Sequence, residues 1–404
     1  MHSDSSRLPY YSTIPTPQSP IESASMSATQ GINVAIIGVG LVGTSVIQQL
    51  TTVAGLSSKL HIVALQNSKK TLFSTPTSPL SLAGADWKSL LANSSTSALA
   101  LPDLVQELQK ITRDSGRHTA VVDNTSDEKV AAFYPEFLAA GLSVVTPNKK
   151  AFSGPIELYN DILKYKSNDV AGSKGPLVYQ ESTVGAGLPI ISSLTDLIAT
   201  GDEITKIEGV FSGTLSYIFN EFSTPKGGDK KFSDIVKFAK ENGYTEPHPN
   251  DDLSGSDVAR KLAILSRLVP ELKDALPQGY LSVPTHSLTP APLADVASGE
   301  EYVQRLPEFD ADYDKLNKEA FDQGSVLRYV GVIDVKKGEI KASLETYPAT
   351  HPFASSLSGS DNIIAFHTKR YSARPLLVQG SGAGADVTAM GVVADLIKIA
   401  ERRS

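Results

Sequence analysis

Asp257 and Lys261 stand four residues apart, a spacing that puts both on one face of a helix and lets their charges interact. Such a pair is usually a solvated salt bridge and nothing more. What lifts it above the usual is the segment that runs into it, G-Y-T-E-P-H-P-N-D-D-L-S-G-S from Gly243 to Ser256. Pro247 and Pro249 stiffen a loop that carries Tyr244, Glu246, Asp251 and Asp252, the densest polar constellation in the chain. A second lysine of interest, Lys149, sits in P-N-K-K just after a strand expected over Ser143–Thr146. It is more than a surface charge if the crevice at that strand end is an active site. Lysine amines and carboxylates in one cleft can move protons and hold a charged small molecule.

The element that must position these groups is V-A-I-I-G-V-G-L-V-G, Val34 to Gly43. An apolar strand runs into Gly38, Val39, Gly40, Leu41, Val42 and Gly43, the spacing G-x-G-x-x-G where a buried parallel strand hands over to a helix. Gly38 permits the tight turn, Gly40 lets backbone approach a pyrophosphate, and Gly43 lets the helix pack close to the strand. The free N–H groups of a helix over 41–50 then face the phosphates, backed by the helix dipole. With a second strand over 60–66, the pattern predicts a dinucleotide site on a doubly wound α/β domain. A βα turn that binds nothing is the bland alternative.

A strict NAD site often carries an acid at the end of that second strand. Here the strand ends A-L-Q-N-S-K-K, Ala64 to Lys70. NADP or dual use is therefore favoured over strict NAD use, although Lys69 and Lys70 can equally be read as solvated loop residues. Further on, T-A-V-V-D-N-T-S (Thr119–Ser126) reads as a strand ending in a polar cluster. Ligands in doubly wound sheets sit at carboxyl strand ends, so Asn124, Thr125 and Ser126 should border the cofactor. A helix over 128–140 should follow. Glu181–Ile190, E-S-T-V-G-A-G-L-P-I, joins a carboxylate to a glycine-relieved turn. Such a turn can expose carbonyl oxygens to a cation, or simply need positive φ.

The 404 residues point to two or three domains, and 41% hydrophobic content is ample for packed cores. A net charge of −7 without a long basic run argues against nucleic acid or anionic membrane as the main partner. No apolar stretch reaches the roughly 18–20 residues that cross a bilayer. The chain has no cysteine, so disulfides, thiolate metal sites and a catalytic thiol are excluded. A reducing compartment is compatible with this, and the cytoplasm is the expected location. Residues 1–30, rich in Ser, Thr and Pro, should be disordered and fit neither a secretory signal nor a mitochondrial presequence. The expected organisation is a dinucleotide-binding domain over 31–180 and an α+β substrate and dimerisation domain over 181–370. A strand and helix over 371–404, entered through Gly380, Gly382 and Gly384, should return to the cofactor domain, which brings Gly384 to the cofactor.

Taken together, V-A-I-I-G-V-G-L-V-G, V-D-N-T-S, T-P-N-K-K-A-F, E-S-T-V-G-A-G-L-P-I, F-S-G-T-L-S-Y-I-F-N-E-F with Y-T-E-P, D-D-L-S-G-S-D-V-A-R-K and Q-G-S-G-A-G resemble homoserine dehydrogenase of the short, fungal type. The resemblance spans residues 32–403, with 1–30 and 165–174 outside it, and no matched position departs from the pattern. It implies reversible oxidation of homoserine to aspartate 4-semialdehyde, in threonine and methionine biosynthesis. It makes Lys261 the acid/base lysine and Lys149 the second lysine of the reacting centre. Glu246 and Asp257 become the acids that bind the amino acid, with Tyr244, Thr214 and Asp252 nearby. Glu181 and the backbone of Val184, Ala186 and Leu188 become a site for a monovalent cation, Na⁺ or K⁺. A homodimer through the sheet of the substrate domain completes the implication.

The chemistry is consistent. Oxidising an alcohol to a carbonyl needs a proton acceptor at the hydroxyl and a hydride acceptor at the carbon. A related semialdehyde dehydrogenase works through a thiohemiacetal on cysteine, and this chain has none. A catalytically inactive NADP-binding sensor on the same fold is the remaining alternative, and turnover separates the two.

Overall fold

The computed structural model describes residues 31–75, 78–166 and 175–404. The expectations for residues 1–30 and for most of the segment 165–174 fall outside them. Six strands form the first sheet: β1 (Ile32–Ile37), β2 (Leu60–Gln66), β3 (Thr71–Phe73), β4 (Thr119–Asp123), β5 (Ser143–Val145) and β6 (Val178–Tyr179). Their order is β3-β2-β1-β4-β5-β6, parallel except for β3, which turns back antiparallel on β2. The order reverses between β1 and β4, and that is where an open α/β sheet binds its ligand. β1 is buried along its whole length, which is why residues 34–37 read as an apolar run, and the one polar residue, Asn33, donates to Ser115 and Thr119.

The second sheet is antiparallel: β7 (Ile204–Val210), β8 (Ser325–Asp334), β9 (Glu339–Pro348), β10 (Asp361–Thr368) and β11 (Leu376–Ser381), in the order β11-β10-β7-β8-β9. One face packs on the helices Gly213–Phe222 and Ser256–Ser266 through Ile207, Leu327, Tyr329, Ile333 and Phe366. That core runs without interruption to Val121, Val144, Phe152 and Tyr159 under the first sheet. The two sheets therefore share one apolar body.

Two expectations are corrected. The helix over 128–140 is two short helices, Glu128–Ala132 and Tyr134–Ala139, because Pro135 cannot donate to a continuing backbone ladder. The C-terminal strand does not return to the cofactor domain. β11 lies at the edge of the second sheet, where its backbone pairs with β10 from Phe366↔Leu376 to Asp361↔Ser381. Only the helix Ala385–Arg403 crosses back. It buries Val392, Leu396 and Ile399 against Ile32, Val34 and Leu60, a second core on the other side of the parallel sheet.

Candidate active site

Lys261 lies on the helix Ser256–Ser266 and is only 6% exposed, so its pairing with Asp257 is no solvated surface bridge. Its Nζ donates to the Phe211 carbonyl at 2.6 Å and sits 2.7 Å from Asp257 Oδ2. Lys149 Nζ comes from the first domain to within 3.5 Å of Asp257 Oδ1. One half-exposed carboxylate therefore bridges two ammonium groups. Burial pulls the Lys261 amine below the usual lysine range, the Lys149 charge adds to this, and Asp257 opposes it. Burial would raise Asp257, but the two ammoniums outweigh it and hold the carboxyl well below the usual carboxylate range.

The helix that carries this pair starts at Gly255, with φ +75°. A Cβ there would meet the Tyr329 hydroxyl at 1.9 Å, so only glycine lets the acidic loop turn this tightly over β8. Asp252 Oδ2 accepts the Glu246 backbone N–H at 2.8 Å. Thr214 donates to the Tyr244 carbonyl at 2.7 Å and its hydroxyl also lies against Asp252. Burial, helped by the charges of Glu246 and Asp257, pushes the Asp252 carboxyl up to about 6. The Glu246 side chain is exposed and makes no ion pair with another described residue. Tyr244 is half exposed, its ring edge-on to Tyr217 at 5.0 Å.

At the switch point Gly38 and Gly43 meet the steric demands expected of them. Gly38 has φ +86°, and a Cβ on it would meet Thr125 at 2.7 Å. A Cβ on Gly43 would come within 2.1 Å of the Gly38 carbonyl. A Cβ on Gly40 would meet nothing within 4 Å, so there the missing side chain leaves open space over the start of the helix Leu41–Thr52. Next to Gly43, where a Cβ would lie 3.5 Å from its Nδ2, Asn124 has both polar side-chain atoms buried and without a partner among the described residues. An open cradle and an unspent amide fit a bound dinucleotide. Thr125 is spent differently: its N–H and hydroxyl both donate to Asp123, at 2.8 and 2.6 Å. Ser126 is exposed. Gly384 precedes the C-terminal helix, whose Asp386 accepts from Ser45 at 2.7 Å and so fixes that end beside the Leu41–Thr52 helix.

The two lysines after β2 part company. Asn67 accepts the backbone N–H of both Lys69 and Lys70, while Lys70 Nζ is committed to the Ser94 carbonyl at 2.7 Å. Lys69 is exposed at the crevice end of β2.

Glu181 caps the helix Ile190–Ala199, taking the N–H groups of Ile191 at 2.8 Å and Ser192 at 3.0 Å, with Lys398 Nζ 3.7 Å away. Its own N–H donates to Asp395 at 2.9 Å. The turn beyond takes positive φ at Gly185 (+76°) and Ala186 (+55°), and the Leu188 carbonyl follows it. The Leu188 carbonyl accepts the Ile190 N–H at 2.8 Å, and carboxylate and carbonyl oxygens are the donor types a hard cation takes.

Sequence reasoning missed Asp123, Tyr134 and Asn148, which form one buried network, and it missed Asp395 and Lys398 on the last helix. The aspartate in V-D-N-T-S was a legible signal, because a charged residue closing an apolar strand needs partners. Asp395 and Lys398, three apart, carried only the spacing of an ordinary helical pair.

A family model described as "Homoserine dehydrogenase" matches residues 189–397, and one described as "Homoserine dehydrogenase, NAD binding domain" matches residues 38–171. A homoserine dehydrogenase of Saccharomyces cerevisiae is 46% identical over 93% of this chain and 99% of its own length. One of Schizosaccharomyces pombe is 46% identical over 93% of this chain and 97% of its own. A Candida auris protein of unknown function superposes with a TM-score of 0.83 at 46% identity, over 92% of this chain and 99% of that one. A hyperthermophilic archaeal homoserine dehydrogenase solved with NADPH shares the fold, with a TM-score of 0.64 at 21% identity over 93% of this chain and 99% of that one.

Proposed function

Because the chain belongs to the homoserine dehydrogenase family, we propose that Lys261, Asp257 and Lys149 are the reacting centre for interconversion of homoserine and aspartate 4-semialdehyde. The observation that carries this assignment is the one carboxylate held between a buried and a half-buried lysine. In reduction the Lys261 ammonium gives a proton to the aldehyde oxygen, and Lys149 stabilises the charge that develops there. In oxidation the neutral Lys261 amine takes the hydroxyl proton. A lowered amine gives up its proton more readily than an ordinary lysine, which favours Lys261 as the base in oxidation and as the proton donor in reduction. Glu246 and Asp252 hold the α-ammonium of the substrate, with Thr214 and Tyr244 fixing their loop.

The nicotinamide cofactor, when bound, supplies hydride exchange at the substrate carbon. Gly38, Val39, Gly40, Leu41, Val42 and Gly43 cradle its phosphates, and Asn124, Thr125 and Ser126 border it. The exposed Lys69 and the missing acid after β2 favour acceptance of NADPH. Glu181 with the carbonyls of Val184, Ala186 and Leu188 takes a monovalent cation, and anomalous scattering from crystals soaked in a heavier alkali ion tests it: a peak is expected, and none rejects the site. The family resemblance supports a homodimer through the second sheet, and the absence of cysteine suits the cytoplasm.

The test is turnover of the purified chain with aspartate 4-semialdehyde and NADPH or NADH. Consumption of reduced cofactor with formation of homoserine is expected. Cofactor binding without turnover would instead mark a sensor.

A further inference from the structure

Asp123 closes β4 at 0% exposure, and no step of the chemistry uses it. Both of its oxygens are fully engaged. Oδ1 accepts the N–H and the hydroxyl of Thr125, at 2.8 and 2.6 Å. Oδ2 accepts the Tyr134 hydroxyl at 2.6 Å and Asn148 Nδ2 at 3.1 Å. Its backbone carbonyl accepts from Thr146 at 2.8 Å, and the same Thr146 oxygen accepts the Asn148 N–H at 2.8 Å. Asn148 Oδ1 in turn accepts the Lys150 N–H at 3.1 Å.

These bonds join the loops that follow two neighbouring strands. The loop after β4 carries Asn124–Ser126 toward the cofactor crevice. The loop after β5 carries Lys149, placed between the two residues that the Asn148 side chain and its neighbour tie down. A buried carboxylate is costly unless fully hydrogen-bonded, and one that serves only stability is readily replaced by apolar packing. Here every donor comes from a loop that faces the crevice or from the helix beneath it.

We propose that Asp123 is a positioning residue, which acts through Asn148 to hold Lys149 against Asp257 and through Thr125 to set the facing cofactor loop. An asparagine at this position has one acceptor oxygen where the carboxylate has two. Whichever way it is placed, its NH₂ confronts donors in either the Thr125 arm or the Tyr134–Asn148 arm. The inference rests on Lys149 belonging to the reacting centre, so its test is a double-mutant cycle with that residue.

The readout is the single-turnover rate of homoserine oxidation in Asp123→Asn, Lys149→Met and the double variant, with KM for homoserine measured alongside. Misplacement of a reacting group by a fraction of an ångström to an ångström costs up to about 10²-fold, so Asp123→Asn alone should lose about 10- to 100-fold in rate. With the cofactor saturating, so that a loosened Thr125 arm does not limit the rate, the same change in the Lys149→Met background should cost no more than about threefold, because residues that act as a unit are not additive. KM for homoserine should stay within about twofold, since its binding loop lies on the other domain. Equal losses in both backgrounds, or a single variant near the wild-type rate, overturn the proposal. A wild-type rate in Lys149→Met alone shows instead that the assignment of Lys149 is wrong, and Asp123 falls with it. Asn148→Ala, which cuts the link but leaves Asp123 its other donors, goes through the same cycle. It should give the same non-additive pattern, and an additive one rejects the proposal even if Asp123→Asn does not fold.

Discussion

Two ionic triads in this molecule are near mirror images. At the active site one carboxylate, Asp257, stands between two ammoniums, Lys149 and Lys261. At the joint between the domains one ammonium, Lys398, stands between two carboxylates, Glu181 and Asp395. Each is built on a helical pair, Asp257/Lys261 four apart and Asp395/Lys398 three apart. The difference lies in what is left unspent. Glu181 and Asp395 are buried and take backbone N–H groups from Ile191, Ser192 and Glu181, so their charge is answered by fixed dipoles as well as by Lys398. Around Asp257 the buried member is a cation whose ordered partners are one carboxylate oxygen and the Phe211 carbonyl. Two ammonium groups share one half-exposed carboxylate, and Lys149 is itself partly exposed. A triad answered by backbone dipoles fastens the joint; one that carries two cations on a single carboxylate can act on the substrate.

The sharpest way to break that contrast is to neutralise the central players in parallel. Lys261→Met should lower kcat by about 10²- to 10⁴-fold, the usual yield of general acid–base catalysis, while cofactor affinity measured by calorimetry stays near normal. Lys398→Met should leave kcat close to wild type and lower stability by on the order of 1 kcal/mol in denaturant unfolding. If the two variants lost turnover alike, the distinction between the triads would collapse.

Asp257→Asn tests the electrostatics inside the active triad. Asp257 raises the Lys261 amine, while burial and Lys149 lower it. Without the carboxylate the amine should fall further. The alkaline limb of the reduction rate, where the ammonium is lost, should therefore move to lower pH, and the rise in oxidation rate should move the same way. Profiles that do not shift, or that shift upward, would contradict the bridge.

A smaller effect concerns the acidic loop. Burial holds Asp252 near pH 6, so its carboxylate is lost as pH falls through about 6. If it grips the substrate ammonium, kcat/KM for homoserine should decline below that point, and Asp252→Asn should be low and flat across the same range. An acidic limb that survives in Asp252→Asn belongs to another group.

What could be read from the chain alone was local. The turn at Gly38, the open cradle at Gly40 and the packing at Gly43 follow from backbone geometry over six residues, and Asp257 and Lys261 share a face because of the helical repeat. The parallel strands declared themselves as apolar runs because both faces are covered. The single helix expected over 128–140 failed where the local signal of Pro135 was overlooked, and that was also legible. Everything that depends on contacts across the chain was decided by the tertiary structure. Spacing cannot bring Lys149 to Asp257, 108 residues away, nor say that Lys261 is buried while Lys398 is half exposed. It cannot say that β11 completes the second sheet while the helix after it crosses to the first, since a strand's partner is chosen by whichever edge offers free backbone groups. Nor does it reveal that Asp123 turns inward to tie two loops together. Charge and spacing are properties of a segment; burial and the number of unspent hydrogen bonds are properties of the packed whole, and here they separate a fastening from a reacting centre.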